Sequence, residues 1–244
     1  MKTLKLQEKL SSSTGRVLGA IVVAASIIST ASNVYAGEST TNTPSFYLGA
    51  DAVYSRMGFK GNYGSNIFEK SAPGINVFVG HLFNNNFGAE VGFEIEKKEK
   101  KSGNINAGTY FAGWVVPPMG GFSFNSEVKQ RHPYLGLVGN LNINNDFFVQ
   151  GLLGVSVSNV HAKYTWTDSA LNFADAATFS KTKPVAMVRL SVGYKLTDKF
   201  DVRAYTTWRN TSNIKIKSPD TTRGNLIKLK DTYNVGLGVV YHIV

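Results

Sequence analysis

The sequence predicts an all-β protein, an eight-stranded antiparallel transmembrane up-and-down β-barrel. Three observations lead there. Apolar and polar residues alternate with a period of two over segments of about ten residues, the signature of strands with two unlike faces. The connections alternate between three polar residues and long loops, as in hairpins with one short and one long end. One parity is apolar and ends in aromatics, while glycines and charges collect on the other.

The last segment is the clearest. Tyr233, Val235, Leu237, Val239, Tyr241 and Ile243 share one face, and Thr232, Asn234, Gly236, Gly238, Val240 and His242 share the other. The same alternation runs through residues 46–55, 74–83, 87–96, 132–143, 147–158, 184–196 and 200–209, which with 232–243 makes eight segments. Asn84-Asn85-Asn86, Asn144-Asn145-Asp146 and Thr197-Asp198-Lys199 are short turns built from residues that hairpins accept. Long connections are expected at 56–73, 97–131, 159–183 and 210–231. In hydrocarbon every backbone N–H and C=O needs a partner, so a sheet that crosses a membrane must close on itself. Phe46, Phe83, Phe87, Tyr194, Phe200 and Tyr241 lie near the short-turn ends, and Tyr54, Trp208 and Tyr233 near the long-loop ends. Amphipathic rings settle at such interfaces. A soluble secreted barrel of lipocalin type would turn the apolar parity inward. The polar parity carries Gly49, Gly80, Gly88, Gly92, Gly136, Gly154, Gly193, Gly236 and Gly238, which suit a crowded interior better than a solvated exterior.

The chain has 244 residues, 24 of them Gly, and no Cys, which excludes disulfide-stapled folds and thiol chemistry. Its opening reads as an address. Lys2, Lys5, Lys9 and Arg16 precede the apolar run Val17–Ile28. That run is shorter than the about 17–25 residues of a membrane-spanning helix. Val34-Tyr35-Ala36 then ends at the kind of position a signal peptidase reads. The expected organisation is a signal peptide over 1–36, a short N-terminal leader over 37–45, and the barrel over 46–244 with four long extracellular loops. Four basic groups and Glu8 leave with the signal, so the formal net charge falls from +10 to +7.

On the inward parity Asp51, Glu90, Glu94 and Asp201 are negative, and Arg189, Lys195, Arg203 and Arg209 are positive. A desolvated interior requires such a balance. Eight strands enclose a lumen just wide enough for side chains to fill, so paired ions there form a plug. Glu90 and Arg203 each stand three residues above the start of their strands, the third and the seventh, which face each other across a barrel of eight. At ~3.3 Å per residue both lie about 10 Å from the short-turn end. A Glu90–Arg203 ion pair is expected, with Asp51 nearby. The alternative is that each charge pairs with its nearest ladder neighbour.

FYLGADAVYS at Phe46–Ser55, FGAEVGFE at Phe87–Glu94, DKFDVRAYTTW at Asp198–Trp208 and YNVGLGVVYHI at Tyr233–Ile243 resemble strands of the membrane domain of outer-membrane protein A. The resemblance covers nearly the whole mature chain and extends to small barrels of that kind. It implies a bacterial outer-membrane location and a carboxylate–arginine gate in the lumen, on whose places Glu90 and Arg203 fall. The resemblance does not extend to a peptidoglycan-binding domain after the barrel, so no anchoring role is expected. The outward face ends at Ile243, where such barrels usually end in an aromatic.

The second long loop opens with Lys97-Lys98-Glu99-Lys100-Lys101 and continues through Tyr110, Phe111, Trp114, Val115, Val116, Pro117, Pro118, Met119, Phe122 and Phe124. An apolar cluster of this sort either marks an interaction tip or folds back over the barrel mouth. In the fourth loop, Ile214–Lys217 and Leu226–Lys230 alternate, so that hairpin is expected to run on beyond the membrane. Lys215, Lys217, Arg223, Lys228 and Lys230 form either a patch for lipopolysaccharide phosphates or an acidic host polymer, or an ordinary solvated face. The histidines are His81, His132, His161 and His242, with His132 inward and His161 outward by parity, so they are not expected to converge on a catalytic site. No catalytic residue, metal set or cofactor is expected, and no nucleic-acid motif is present. The expected role is structural or adhesive at the cell surface, by a monomer in contact with outer-membrane lipid, lipopolysaccharide and a host surface or matrix ligand. The alternative is a narrow, low-conductance pore gated by Glu90 and Arg203.

Overall fold

A computed structural model describes residues 45–60, 68–106, 110–111, 114–115, 122–168, 173–212, 214–217 and 226–243. The expected signal peptide and all of the leader but Ser45 lie outside the described residues. Eight long strands form the wall: β1 (Ser45–Arg56), β2 (Ser71–Leu82), β3 (Phe87–Glu96), β4 (Phe122–Asn142), β5 (Phe147–Asp168), β6 (Phe173–Lys195), β7 (Phe200–Arg209) and β8 (Thr232–Ile243). Each pairs antiparallel with its neighbours in sequence, and β1 pairs with β8, which closes the sheet. Asp51 stands opposite Gly238 across that closing seam. No helix among the described residues is long and apolar enough to cross a membrane.

The three short turns share one design. Asn84 Oδ1 accepts from the N–H groups of Asn86 and Phe87, both at 2.9 Å. Asn144 Oδ1 does the same for Asp146 and Phe147, at 2.9 and 2.8 Å. Thr197 Oγ1 accepts from Lys199 and Phe200 at 3.2 and 3.1 Å. In each case a short polar side chain stands in for backbone at the bend, and a Phe opens the next strand.

The parity read from the sequence holds all round the wall. Leu135 is 62% exposed and Leu237 68%, while Arg189 is 1% and Arg203 2%. Where the structure departs from expectation is in strand length. The alternation was expected to stop near residues 132, 158 and 184, but β4, β5 and β6 run on to Phe122, Asp168 and Phe173. Much of the loops expected at 97–131 and 159–183 is therefore strand, including Glu99–Ile105, which pairs with β4. For β4 and β5 the cause is continued burial on the inward face, and the extension of β6 follows by pairing with that of β5. Val128, Val160, Ala162, Tyr164 and Val185 pack with Met57, Phe59 and Phe68 of the first long connection and with Ile214 and Leu229 of the fourth. This dry cluster caps the long-loop mouth. A backbone bond ties its two connections together, Lys230 N–H to Gly58 O at 2.6 Å, and Leu229 N–H to Ile214 O at 3.0 Å closes the fourth on itself.

The luminal glycines leave room for rings and acids. A Cβ on Gly92 would overlap the Tyr134 ring, and one on Gly238 would meet the Asp51 carboxylate and the Ala50 carbonyl. The Tyr134 ring and the Asp51 carboxylate fit where they do because the wall is bare there. Gly92→Val is expected to destabilise the barrel by about 1–3 kcal/mol through overpacking. Gly151→Ala, with nothing within 4 Å of its added Cβ, is expected to stay within about 0.5 kcal/mol of the parent. Urea unfolding of the refolded barrel, read by its heat-modifiable gel mobility, checks both.

Candidate functional site: the luminal ion ladder

The inward faces carry the charges in tiers. At the short-turn end, His242 Nε2 lies 2.7 Å from Asp201 Oδ2. Above it, Arg203 spans two acids. Its Nη2 donates to Asp51 Oδ2 at 3.0 Å and its Nε to Asp51 Oδ1 at 3.2 Å. Its Nη1 donates to Glu90 Oε2 and to Gln150 Oε1, each at 3.3 Å. The Arg203 guanidinium also sits 3.8 Å above the Phe78 ring, a cation–π contact in a desolvated setting.

Glu90 is the hub. Its Oε1 accepts from Arg189 Nη1 and Tyr134 Oη, both at 2.8 Å, and its Oε2 from Tyr47 Oη at 3.2 Å besides Arg203. Arg189 is held in turn by Thr207 Oγ1 at 3.2 Å and lies between the rings of Tyr134 and Tyr205. Asn76 Nδ2 donates to Asp51 Oδ2 at 2.7 Å and links that acid to Tyr134. One tier higher, Arg209 grips Glu94 bidentately at 3.0 and 2.7 Å, and Asn234 Nδ2 donates to the same carboxylate at 2.5 Å. Parallel two-point contacts of this kind are the strong form of the ion pair.

The expected Glu90–Arg203 contact is thus present with Asp51 beside it, but the closest guanidinium to Glu90 is that of Arg189. The main partners stand across the lumen, from β3 to β6 and β7, more often than along one ladder. Two corrections concern membership. Lys195 is only half-buried and lines the short-turn mouth, where its long side chain reaches water. Glu96, left out of the expected set, is 1% exposed. It has the parity of Glu90 and Glu94 as the final residue of β3, and the run of charges beginning at Lys97 hid it. His132 is the second residue missed. It is fully buried, with Nδ1 3.0 Å from Ser158 Oγ and Nε2 3.5 Å from Glu96 Oε1. Ser158, His132 and Glu96 stand in the order of nucleophile, base and acid, yet each is sealed inside the wall, away from any bulk substrate. His161 keeps the outward parity and does not join them; its backbone stands opposite Lys129.

Of the loop candidates, Phe124 packs against the cap. Tyr110, Phe111, Trp114 and Phe122 have strand backbones but no described side chains, and Met119 and Arg223 lie outside the described residues. Lys215 and Lys228 are exposed, and Lys217 is placed by its backbone opposite Leu226. Lys98 bridges Glu127 at 2.6 Å. That hydrogen bond holds the Glu127 carboxyl below its usual range.

A closed barrel with an ionic interior and an apolar exterior is built to sit in a bilayer without a helix. Residues 20–242 match the family model described as outer membrane protein beta-barrel domain. The chain belongs to that family, and its place is the bacterial outer membrane. No curated protein matches it. Among solved structures it is similar to OprG of Pseudomonas aeruginosa, with 13% identity over 83% of this chain and 97% of that one, at a TM-score of 0.47. It is similar also to the attachment invasion locus protein Ail of Yersinia pestis in complex with the heparin analogue sucrose octasulfate, with 16% identity over 82% and 99% and a TM-score of 0.41. The outer membrane protease OmpT of Escherichia coli shares 12% identity over 85% and 99%, at a TM-score of 0.45.

Removing one partner from a buried pair leaves a bare charge, which costs about 3–5 kcal/mol. Arg189→Ala and Arg203→Ala are each expected to lower barrel stability by that amount. Arg189→Met combined with Glu90→Leu should recover most of the loss. Urea unfolding in lipid vesicles checks this; an unchanged midpoint for either single variant would contradict burial of the pair.

Proposed function

We propose that the chain is a cell-surface protein whose barrel is a plugged post, with the long-loop end outside, and whose work is contact through the part that rises above the membrane. Residues 1–36 serve as the secretory signal in this reading. The observation that carries it is a closed interior beneath an exposed row of like charge. Lys60, Lys228 and Lys215 stand directly opposite one another on three adjacent short strands, and all three are exposed. Like charges placed so are unfavourable in a bare sheet, and a bound polyanion relieves them. Arg56, Lys97 and Arg131 are exposed just above the apolar belt, where lipopolysaccharide phosphates would lie. Adhesion to an acidic host surface or matrix polymer follows from the same chemistry, with the aromatic second loop as a further contact. A closed sheet leaves no open wall edge for a second copy to extend, which supports a monomer.

A narrow pore is the second reading. A cavity of about 370 Å³ at the short-turn end, lined by Asn85, Lys195, Asp198, Gln150 and Arg203 among others, would be its vestibule. The four donors on Glu90 and the apolar cap favour the closed form.

Neutralising the row tests the proposal. A Lys60→Gln, Lys215→Gln, Lys228→Gln variant should leave heparin- and lipopolysaccharide-coated resin at lower salt than the parent, with unchanged heat-modifiable mobility. Retention equal to the parent's would sink the polyanion reading. In planar bilayers the parent should show no steady openings, whereas openings altered by Glu90→Ala would favour the pore.

A further inference from the structure

We propose that the upper lumen binds one divalent transition-metal ion of the Zn²⁺ type, with Glu96 and His132 as ligands and Glu94 as the third donor. The first reason is charge. Above the Asp201–His242 pair, the buried carboxylates among the described residues are Asp51, Glu90, Glu94 and Glu96, and the buried guanidiniums are Arg189, Arg203 and Arg209. Arg203 and Arg189 serve Asp51 and Glu90, and Arg209 serves Glu94. Glu96 is left without a guanidinium, in a place where an uncompensated anion is costly.

The second reason is that the Glu96 carboxylate and the His132 Nε2 beside it are left unpartnered. Neither Glu96 oxygen has a hydrogen-bond partner, nor has His132 Nε2, and the Glu96 and His132 side chains are both 0% exposed. Ser158 Oγ stands at His132 Nδ1. With Nδ1–H donating to that hydroxyl, the Nε2 lone pair faces the carboxylate, and two lone-pair donors aimed at one another call for a cation between them. An outer hydrogen bond that fixes the tautomer is the usual support of a histidine ligand.

The third reason is spacing. Glu94 and His132 are directly opposite across the β3–β4 ladder, and Glu96 follows two residues along the same face. The donor atoms of all three lie within 4.8 Å of one another. The 3.5 Å between His132 Nε2 and Glu96 Oε1 makes no hydrogen bond. It does fit two ligands of a tetrahedral ion, which bonds of about 2.1 Å set about 3.4 Å apart. One imidazole with carboxylates selects a Zn²⁺-type ion over the all-oxygen shells of Ca²⁺.

The test is refolding of the full chain in detergent with Zn²⁺ present throughout, removal of excess by gel filtration, and metal counting on closed barrel alone. Closed barrel is recognised by its heat-modifiable mobility. The parent should retain about one Zn²⁺ per chain, and Co²⁺ in its place should give the visible bands of a low-symmetry site. Glu96→Gln and His132→Gln, which keep the volume close, should each lose retention at least tenfold. Ser158→Ala should weaken it about 10–100-fold, and Zn²⁺ should raise the urea midpoint of the parent alone. A closed parent barrel that retains no Zn²⁺ overturns the proposal, as does a Glu96→Gln barrel that retains as much as the parent.

Discussion

Everything in this structure follows from the backbone's need for partners where there is no water. A strand that enters hydrocarbon with open N–H and C=O groups costs several kcal/mol per group, so the sheet closes, and here the closing seam is β1 on β8. Closure with eight strands leaves an interior only as wide as its own side chains. A charge in the middle of the inward face, away from the two mouths, is then cut off from solvent and calls for an opposite charge inside. The ion ladder is the consequence of closure.

Within that narrow space the aromatic rings and glycines divide the work. Tyr47, Tyr134 and Tyr205 lie flat against bare wall at Gly80, Gly92 and Gly236. From there Tyr47 and Tyr134 reach Glu90, while Tyr134 and Tyr205 face Arg189. A guanidinium so placed meets π-faces on the sides that its carboxylate does not occupy. The short-turn half of the lumen is therefore polar and crossed by hydrogen bonds, while the long-loop mouth is closed by Met57, Phe68, Tyr164 and Leu229 without any ion. Two unlike seals in series separate the cavity near Lys195 from the long-loop end.

Facing and hairpin order were legible in the sequence because both are local. Val235 and Leu237 against Asn234 and Gly236 state their sides by period alone, and Asn144 and Thr197 mark turns by side-chain chemistry. The partners of the charges were legible only in part. Parity puts Glu90 and Arg203 inside, but the choice of Arg189 as the closer cation to Glu90 depends on wall tilt, which no short window encodes. The extension of β5 and β6 was hidden for another reason. Val160, Ala162 and Tyr164 keep the inward alternation, but the polar residues between them and the lysines that follow read as loop. The cap joins residues more than a hundred positions apart, Met57 to Val160, and has no local signal. Glu96 had the right parity and was masked by the charged run after it.

The central claim is that the parity of Leu190 and Leu237 meets lipid while that of Arg189 and Arg203 is enclosed. The absence of cysteine from the chain makes site-directed spin labelling direct. Labels placed singly from Val188 to Gly193 and from Tyr233 to Val239, in barrels reconstituted into lipid, report collisions with dissolved oxygen. Closure predicts that collision frequency alternates with period two, high at Leu190, Val192, Val235 and Leu237 and low at Arg189, Ser191, Asn234 and Gly236. A flat profile, or one with the phase reversed, would contradict it.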